Sequence, residues 1–190
     1  MKKDIIIIGQ GGHSLACQEV IDKLKKYKIV GFVVDDKHQK KNDEILGSDE
    51  DLKEISKKYK NAFIGIGSPH KLDVKKNLYL KLKKIGFNLP TIVSKNAIVS
   101  SSCKIGEGSI IMDGVQIGPK VVIGKNCIIN SKTLIEHECK IEDHCNIATS
   151  VTLNGNCQIK EKTFVGSGSV VRENSVIKKN SFIKMGTIKI

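Results

Sequence analysis

Tryptophan is absent from this 190-residue sequence, and aromatic residues make up only 4% of it. Arginine is almost absent too, because Arg172 is the single arginine among 32 basic residues. A nucleic-acid-binding protein with the net charge of +12 found here would use arginine forks for phosphates and bases, and aromatic rings for stacking. The dispersed lysines therefore do not predict nucleic-acid binding, although some are candidates for phosphate-bearing ligands.

Long apolar runs are also missing. No run approaches the roughly 18–20 residues that a membrane-spanning helix needs. Residues 5–8 are four isoleucines, which is too short a run for the core of a signal peptide. We therefore expect a cytoplasmic protein with no membrane partner.

The first half of the chain alternates apolar runs with segments of helical spacing. The predicted strands are residues 4–9, 29–34 and 62–66, and the predicted helices are residues 13–26, 49–59 and 70–85. A continuous apolar run such as residues 4–9 is typical of a central parallel strand buried on both faces. The alternation predicts a small Rossmann-like α/β domain over residues 1–88, with right-handed crossovers.

A period of six residues replaces helical spacing after Phe87. Every sixth residue from Val93 to Ile183 is Ile, Leu or Val. This is the hexapeptide repeat of a parallel β-helix, in which three hexapeptides form one triangular coil. We therefore predict a β-helical domain over residues 89–190. The periodicity alone does not define the handedness of the helix.

A second register holds small or β-branched residues two positions before each aliphatic residue. Five of the six cysteines occupy it, namely Cys103, Cys127, Cys139, Cys145 and Cys157. A tight corner beside a stacked core requires this small size. The cysteines are therefore interpreted as small core residues rather than as metal ligands or disulfide partners, and we expect no metal site.

Three segments resemble one known family. Residues 130–139, Asn-Ser-Lys-Thr-Leu-Ile-Glu-His-Glu-Cys, are similar to a motif of the sialic acid O-acetyltransferase family of hexapeptide-repeat sugar acetyltransferases. Residues 8–13 and the Gly65-Ile66-Gly67 segment resemble glycine turns of the same family. The resemblance implies a left-handed β-helix, acetyl-CoA as co-substrate, a nucleotide-linked sugar as acceptor and a homotrimer.

The resemblance also implies a catalytic set. His137 would be the general base, projecting into a cleft between two subunits, and Glu138 would orient its imidazole. Gly155 follows His137 by three hexapeptides, which is one full coil, and its N–H would bind the thioester carbonyl. Asn130 would bind the acceptor or an intermediate. The alternatives are a solvated corner histidine, a solvated acid, a turn glycine and an asparagine ladder.

Two features of the acetyl-CoA site depart from the family. Asn146 stands where relatives commonly have a second histidine near the acyl-CoA, and the C-terminal segment that lines the nucleotide end of CoA in relatives is missing. The resemblance still implies contacts from Asn146, and Ser167 in the Gly166–Gly168 corner would face the pantetheine arm further along the same cleft.

A nucleotide site is predicted in the first half. A glycine turn that opens a helix is a common phosphate site, but Ser14 stands where the third glycine of a dinucleotide fingerprint belongs, so the motif alone is weak. The resemblance implies a sugar-nucleotide site formed by Gly11, Gly12, His13, Asp35, Asp36 and Gly67. Lys71, Lys75 and Lys76 are alternative phosphate ligands.

We therefore predict an enzyme that transfers acetyl from acetyl-CoA to the amine of a nucleotide-linked amino sugar, for glycan or nonulosonic-acid synthesis. A sialic acid O-acetyltransferase is one alternative, because the same base would serve a hydroxyl. A non-catalytic partner of a sugar-synthesis enzyme is another, and Asn146 and the missing tail favour it. A nucleotide-sugar oxidoreductase fits only the first half and is opposed by the incomplete fingerprint.

Overall fold

The computed structural model of the protein describes residues 1–34 and 44–189. The chain forms two compact units, Met1–Pro90 and Thr91–Ile190. The first unit contains strands β1 (Lys3–Ile8), β2 (Tyr27–Val33), β3 (Ile45–Gly47) and β4 (Ala62–Ile64), helices α1 (Gly12–Leu24), α2 (Leu52–Lys58) and α3 (Leu72–Ile85), and a 3-10 turn at Pro69–Lys71. Among the described residues, no helix combines the length and the apolar character that a membrane crossing requires.

The sheet of the first unit is parallel and has the order β3-β2-β1-β4. Strand β1 lies inside it, and its residues Ile5–Ile8 are almost completely buried, as the continuous apolar run predicts. Leu78 and Leu82 of α3 pack in the same core cluster as Ile6 and Ile8. The predicted α/β class of this unit is therefore confirmed.

Several element bounds of the first unit differ from the prediction, and one strand is additional. Strand β3 was not predicted, because so short a strand gives little periodic signal. Helix α2 begins at Leu52 rather than at residue 49. The Asp51 carboxylate accepts hydrogen bonds from the Ser48 N–H at 2.8 Å and from the Ser48 hydroxyl at 3.1 Å, so residues 48–51 form a turn before the helix.

The second unit consists of two-residue strands that form three parallel sheets, called here faces 1, 2 and 3. Face 1 contains Lys104–Ile105, Val122–Ile123, Lys140–Ile141, Gln158–Ile159 and Val176–Ile177. Face 2 contains Ile92–Val93, Ile110–Ile111, Ile128–Ile129, Asn146–Ile147, Phe164–Val165 and Phe182–Ile183. Face 3 contains Ile98–Val99, Gln116–Ile117, Leu134–Ile135, Thr152–Leu153, Val170–Val171 and Ile188–Lys189.

Strands of neighbouring coils pair in register within each face, so equivalent residues of successive coils stack. Ile123, for example, pairs with Ile105 of the coil before it and with Ile141 of the coil after it. The aliphatic residues of the six-residue period are almost fully buried from Ile111 to Ile177. The predicted parallel β-helix is confirmed, and its core is one continuous aliphatic stack.

The corners of the β-helix repeat a left-handed backbone conformation. Every sixth residue from Gly108 to Gly186 has a positive φ, and the non-glycine members include lysine, asparagine, serine, glutamate and histidine. Glycine is required for a different reason at Gly106 and Gly166, which lie two positions before residues with a positive φ. A Cβ on Gly106 would lie 2.6 Å from the Gly124 carbonyl carbon, and one on Gly166 would lie 2.5 Å from the Met185 nitrogen. These glycines allow successive coils to approach closely.

The small-residue register has a second role that the sequence did not indicate. Its side chains donate hydrogen bonds to a corner carbonyl of the following coil, as in the pairs Ser109–Gly124 at 2.8 Å, Thr133–Ala148 at 2.9 Å, Cys139–Asn154 at 3.1 Å and Cys157–Arg172 at 3.0 Å. Serine, threonine and cysteine therefore combine small volume with a donor for a corner carbonyl of the next coil. All six cysteines are free thiols.

Candidate active site

His137 lies at a corner of the β-helix, just after the face 3 strand Leu134–Ile135. By the strand register, Pro119 precedes it by one coil and Gly155 follows it by one coil. Ladder bonds connect the three coils, from the Glu138 N–H to the Pro119 oxygen and from the Asn156 N–H to the His137 oxygen, both at 2.9 Å. His137 is thus stacked between a proline and a glycine, and its side chain is 56% exposed.

Glu138 contacts the imidazole of His137. The Glu138 Oε2 lies 3.1 Å from the His137 Nδ1, and the left-handed backbone at Glu138, with φ of 60°, lets its side chain turn back toward the ring. Lys120, one coil earlier, places its ammonium 3.7 Å from the Glu138 Oε1. The hydrogen bond from His137 and the charge of Lys120 lower the pKa of the Glu138 carboxyl, which therefore stays ionised at neutral pH.

Gly155 lies against the other side of the imidazole. A Cβ built on Gly155 would lie 2.6 Å from the His137 Nε2 and 2.7 Å from its Cε1. Any larger residue would displace the ring, so glycine here is a condition for the observed position of His137. With Nδ1 held by a carboxylate, the ring can present an Nε2 lone pair, which is the arrangement of a general base.

The other three predicted residues of the second unit do not lie at this corner. Asn130 and Ser167 belong to the corner between faces 2 and 3. The Asn130 Oδ1 accepts a hydrogen bond from the Ser131 N–H at 2.9 Å, and the backbone around Ser167 pairs with Thr149 and Gly186. Asn146 lies in face 2 and is only 4% exposed. A single chain thus brings together His137, Glu138 and Gly155 only.

The asparagine-ladder alternative for Asn130 is not found. The residues one coil before and after Asn130 are Met112 and Ala148. A short asparagine ladder occurs elsewhere, where the Asn156 Nδ2 donates to the Asn174 Oδ1 at 2.9 Å. It lies beside Gly155 and ties that coil to the next.

The first unit contains an open pocket of about 910 Å³ at the carboxyl ends of β1, β2 and β4. Four predicted residues line it, Gly11, Gly12, His13 and Gly67. Gly11 precedes α1, whose first turn carries no acidic side chain, so the N–H groups of that turn favour an anion. The predicted residues Asp35 and Asp36 lie outside the described part of the chain.

His13, which lines the pocket, forms a pair with the fully buried Cys17. The Cys17 Sγ lies 3.3 Å from the His13 Nε2, and a Cβ on Gly67 would lie 2.6 Å from the His13 Cβ. Burial, assisted by the charge of Lys75, lowers the pKa of His13 to about 4. Burial also raises the pKa of the Cys17 thiol to about 12. Within residues 1–34 and 44–189, no cluster of His, Cys, Asp and Glu is suited to a metal ion.

The three candidate lysines have different positions. Lys71 lines the pocket, Lys75 is 3% exposed, and Lys76 is not part of the described lining. Lys81, which sequence reasoning missed, also lines the pocket, and its ammonium donates to the main-chain carbonyl oxygen of Asp49 at 2.7 Å. Helical spacing along α3 from Lys71 through Leu78 to Lys81 could have indicated a common face.

Comparison with known protein families gives two matches. Residues 4–82 match the PglD N-terminal domain. Residues 88–189 match the GMPPB C-terminal domain, which spans more than half of the chain.

Solved structures resemble the protein over nearly its whole length. The acetyltransferase domain of PglB from Neisseria gonorrhoeae FA1090, in complex with acetyl coenzyme A, is 23% identical, with a TM-score of 0.90 over 100% of this chain and 92% of that one. A perosamine N-acetyltransferase mutant from Caulobacter crescentus, in complex with CoA and GDP-perosamine, is 25% identical, with a TM-score of 0.90 over 98% and 89%. WeeI from Acinetobacter baumannii AYE is 22% identical, with a TM-score of 0.85 over 98% and 92%. These likenesses confirm the fold class of both units, a left-handed parallel β-helix preceded by a small α/β domain.

Proposed function

The chain belongs to the hexapeptide-repeat sugar acetyltransferase family, and from this premise we propose that it transfers acetyl from acetyl-CoA to the amine of a nucleotide-linked amino sugar. The observation that carries the proposal is the His137 corner. There a carboxylate holds one imidazole nitrogen at 3.1 Å, and a glycine, which has no Cβ to displace the ring, lies beside the other. The neighbours with bound acetyl coenzyme A, or with CoA and GDP-perosamine, support the two substrate classes.

In the proposed reaction, the amine nitrogen attacks the thioester carbonyl of acetyl-CoA. The His137 Nε2 accepts the proton that the amine loses, and Glu138 stabilises the resulting imidazolium. The Gly155 N–H donates to the oxyanion of the tetrahedral intermediate. The carbon–sulfur bond then breaks, and His137 returns the proton to the CoA thiolate, so that the products are an amide and a free thiol.

The first unit would bind the nucleotide diphosphate of the acceptor. Gly11 and Gly12 would supply backbone N–H groups, and His13, Gly67 and Lys71 would contact the phosphates. The size of the pocket, about 910 Å³, is compatible with a nucleotide sugar. This assigns residues 1–88 to acceptor binding and residues 89–190 to acetyl transfer.

We further propose that the active assembly is a homotrimer. The outward residues of face 3 include Ile98 and Ile188, which are 68% and 72% exposed, and Val170. These apolar residues are interspersed with the polar Gln116 and Thr152 on the face that borders the His137 corner. Burying this face against a second copy would also wall the exposed imidazole. Asn130 and Ser167 lie at the opposite edge of face 3, from which a neighbouring copy could deliver them to the acetyl-CoA site.

Thiol release from acetyl-CoA tests the proposal. The acceptors are a panel of nucleotide-linked 4-amino sugars and free sialic acids, and the proteins are wild type, His137→Ala and, as a matched control, His70→Ala. Turnover on an amino sugar that His137→Ala loses and His70→Ala keeps would support the proposal. Turnover on sialic acid alone would favour O-acetylation. Failure of acetyl-CoA to bind would contradict an enzymatic role and favour the non-catalytic alternative.

Sedimentation equilibrium on the same preparation tests the trimer, and a monomer with full activity would contradict it.

A further inference from the structure

The pair formed by His13 and Cys17 has no role in acetyl transfer, yet it occupies the base of the pocket in the first unit. The two residues lie one turn apart on α1, with the Cys17 Sγ 3.3 Å from the His13 Nε2. His13 lines the pocket, whereas Cys17 is completely buried. A neutral imidazole has one protonated and one unprotonated nitrogen, so a hydrogen bond at Nε2 determines what the ring presents at Nδ1.

The chemistry of the two groups favours the thiol as the donor in this hydrogen bond. Burial raises the pKa of the Cys17 thiol to about 12, so the S–H proton is retained at physiological pH. An imidazole nitrogen is a better acceptor than a thiol sulfur, which accepts only weakly. The Nε2 of His13 therefore carries the lone pair, and the ring proton lies on Nδ1.

The surroundings of His13 keep the ring neutral and fixed. Lys75, 3% exposed on α3, opposes a second positive charge, and burial has the same effect, so the pKa of His13 falls to about 4. Gly67 packs against the His13 side chain so closely that a Cβ there would lie 2.6 Å from the His13 Cβ. In the part of the chain that the structure describes, the other charged residues that line the pocket are Lys71, Lys81, Asp49 and Glu50.

We propose that Cys17 is a positioning residue that sets the tautomer of His13, so that His13 meets the bound acceptor as a neutral Nδ1–H donor. This inference rests on the proposed nucleotide-sugar role of the pocket. A neutral donor contributes a directional hydrogen bond, while Lys71 and the first turn of α1 balance the phosphate charge. Affinity for a nucleotide sugar should then stay constant across the pH range in which an ordinary histidine titrates.

The tautomer can be measured without a ligand, from the imidazole ¹⁵N shifts of His13 in the full chain. Wild type and Cys17→Ser, which keeps a donor, should show a protonated Nδ1 at pH 5.5 and at pH 8.5. Cys17→Val should lose this preference, because it removes the donor at nearly constant volume. A protonated Nε2 in wild type, titration of the ring between these pH values, or an unchanged tautomer in Cys17→Val would overturn the inference.

Calorimetric titration with UDP-N-acetylglucosamine and GDP-mannose, whose phosphodiesters do not ionise in this range, supplies the second readout. Binding should not change with pH in wild type, and it should weaken about three- to tenfold in Cys17→Val but not in Cys17→Ser. Equal affinity in all three proteins would also overturn the inference. If neither probe binds wild type, the pocket does not have the proposed role of binding the acceptor substrate. The inference that His13 donates a hydrogen bond to that substrate then fails as well. The tautomer result would then stand only as a property of the free protein.

Discussion

Two histidines of this protein face glycines at close range, but their other partners differ. His137 lies at a β-helix corner, 56% exposed, with its Nδ1 on the Glu138 carboxylate. His13 lies under a pocket of the α/β unit, with its Nε2 on the Cys17 thiol and with Lys75 lowering its pKa. A carboxylate lies beside the first ring, whereas burial and a nearby ammonium oppose proton uptake by the second. The same side chain is thus suited to catalysis in one unit and to binding in the other.

The largest expected difference follows from removing each ring. His137→Asn should lower kcat about 10³-fold, because it removes the general base. His13→Asn should mainly raise KM for the acceptor, by about tenfold, because it removes one hydrogen bond to the ligand. Steady-state kinetics with varied acceptor check both values, and equal losses of kcat in the two variants would contradict the division of roles.

Replacing the glycines that pack against the two histidines, Gly155 and Gly67, tests the same difference in role. Gly155→Ala places a methyl group 2.6 Å from the His137 Nε2, so the ring must move, and kcat should fall about 10²-fold. Gly67→Ala should displace His13 and act on acceptor KM instead. Gly186→Asn is the control, because Gly186 has open space around it and its left-handed φ suits asparagine. A Gly155→Ala protein with wild-type turnover would show that the observed ring position is not the catalytic one.

Glu138→Gln keeps an acceptor for the His137 Nδ1–H and removes the negative charge. We expect a loss of kcat of about 10- to 100-fold, smaller than that of His137→Asn, because only the stabilisation of the imidazolium is lost. Lys120→Met should cost about threefold or less, since exposed ion pairs contribute little. Lys160→Met is a matched control, because Lys160 forms an equivalent pair with Glu142 at 3.0 Å away from the His137 corner. A Glu138→Gln protein as active as wild type would remove Glu138 from the mechanism.

The last expected effect concerns stability in acid rather than turnover. The pKa of His13 falls from 6.5 to about 4 in the folded protein, so between these pH values the unfolded chain binds a proton that the folded chain does not bind. The free energy of unfolding is therefore highest above about pH 6.5, and it decreases by up to about 3 kcal/mol as the pH falls to about 4. Urea unfolding followed by circular dichroism at pH 7.5 and 4.5 measures it. His13→Asn should reduce the loss, and the same loss in both proteins would assign the acid sensitivity to other groups.

The β-helix could be predicted almost completely, because its stacking forces a six-residue period onto the sequence. The six-residue period also predicts that Ser167 and His137 lie at different corners, because their separation in the sequence is not a whole number of coils. The cysteine donors to corner carbonyls of the following coil were not predicted, because this bond depends on corner geometry rather than on hydrophobic pattern.

The site of the first unit was less accessible to sequence reasoning. Gly11, Gly12, His13 and Gly67 were indicated by the glycine turns, and all four line the pocket. Residues 48–50 were missed, because no local pattern specifies how their turn packs. Lys81 was also missed, although helical spacing along α3 could have indicated it. The contact of His13 with Cys17 follows from helical spacing, but its importance depends on the burial of both residues.

Chemical rescue of His137→Gly tests the central claim most directly. Because Gly155 provides space beside the missing ring, free imidazole should restore thiol release in proportion to the concentration of its neutral form, while His13→Gly should show no such dependence. Wild-type turnover by His137→Gly without imidazole, or rescue of His13→Gly instead, would contradict the assignment of His137 as the general base.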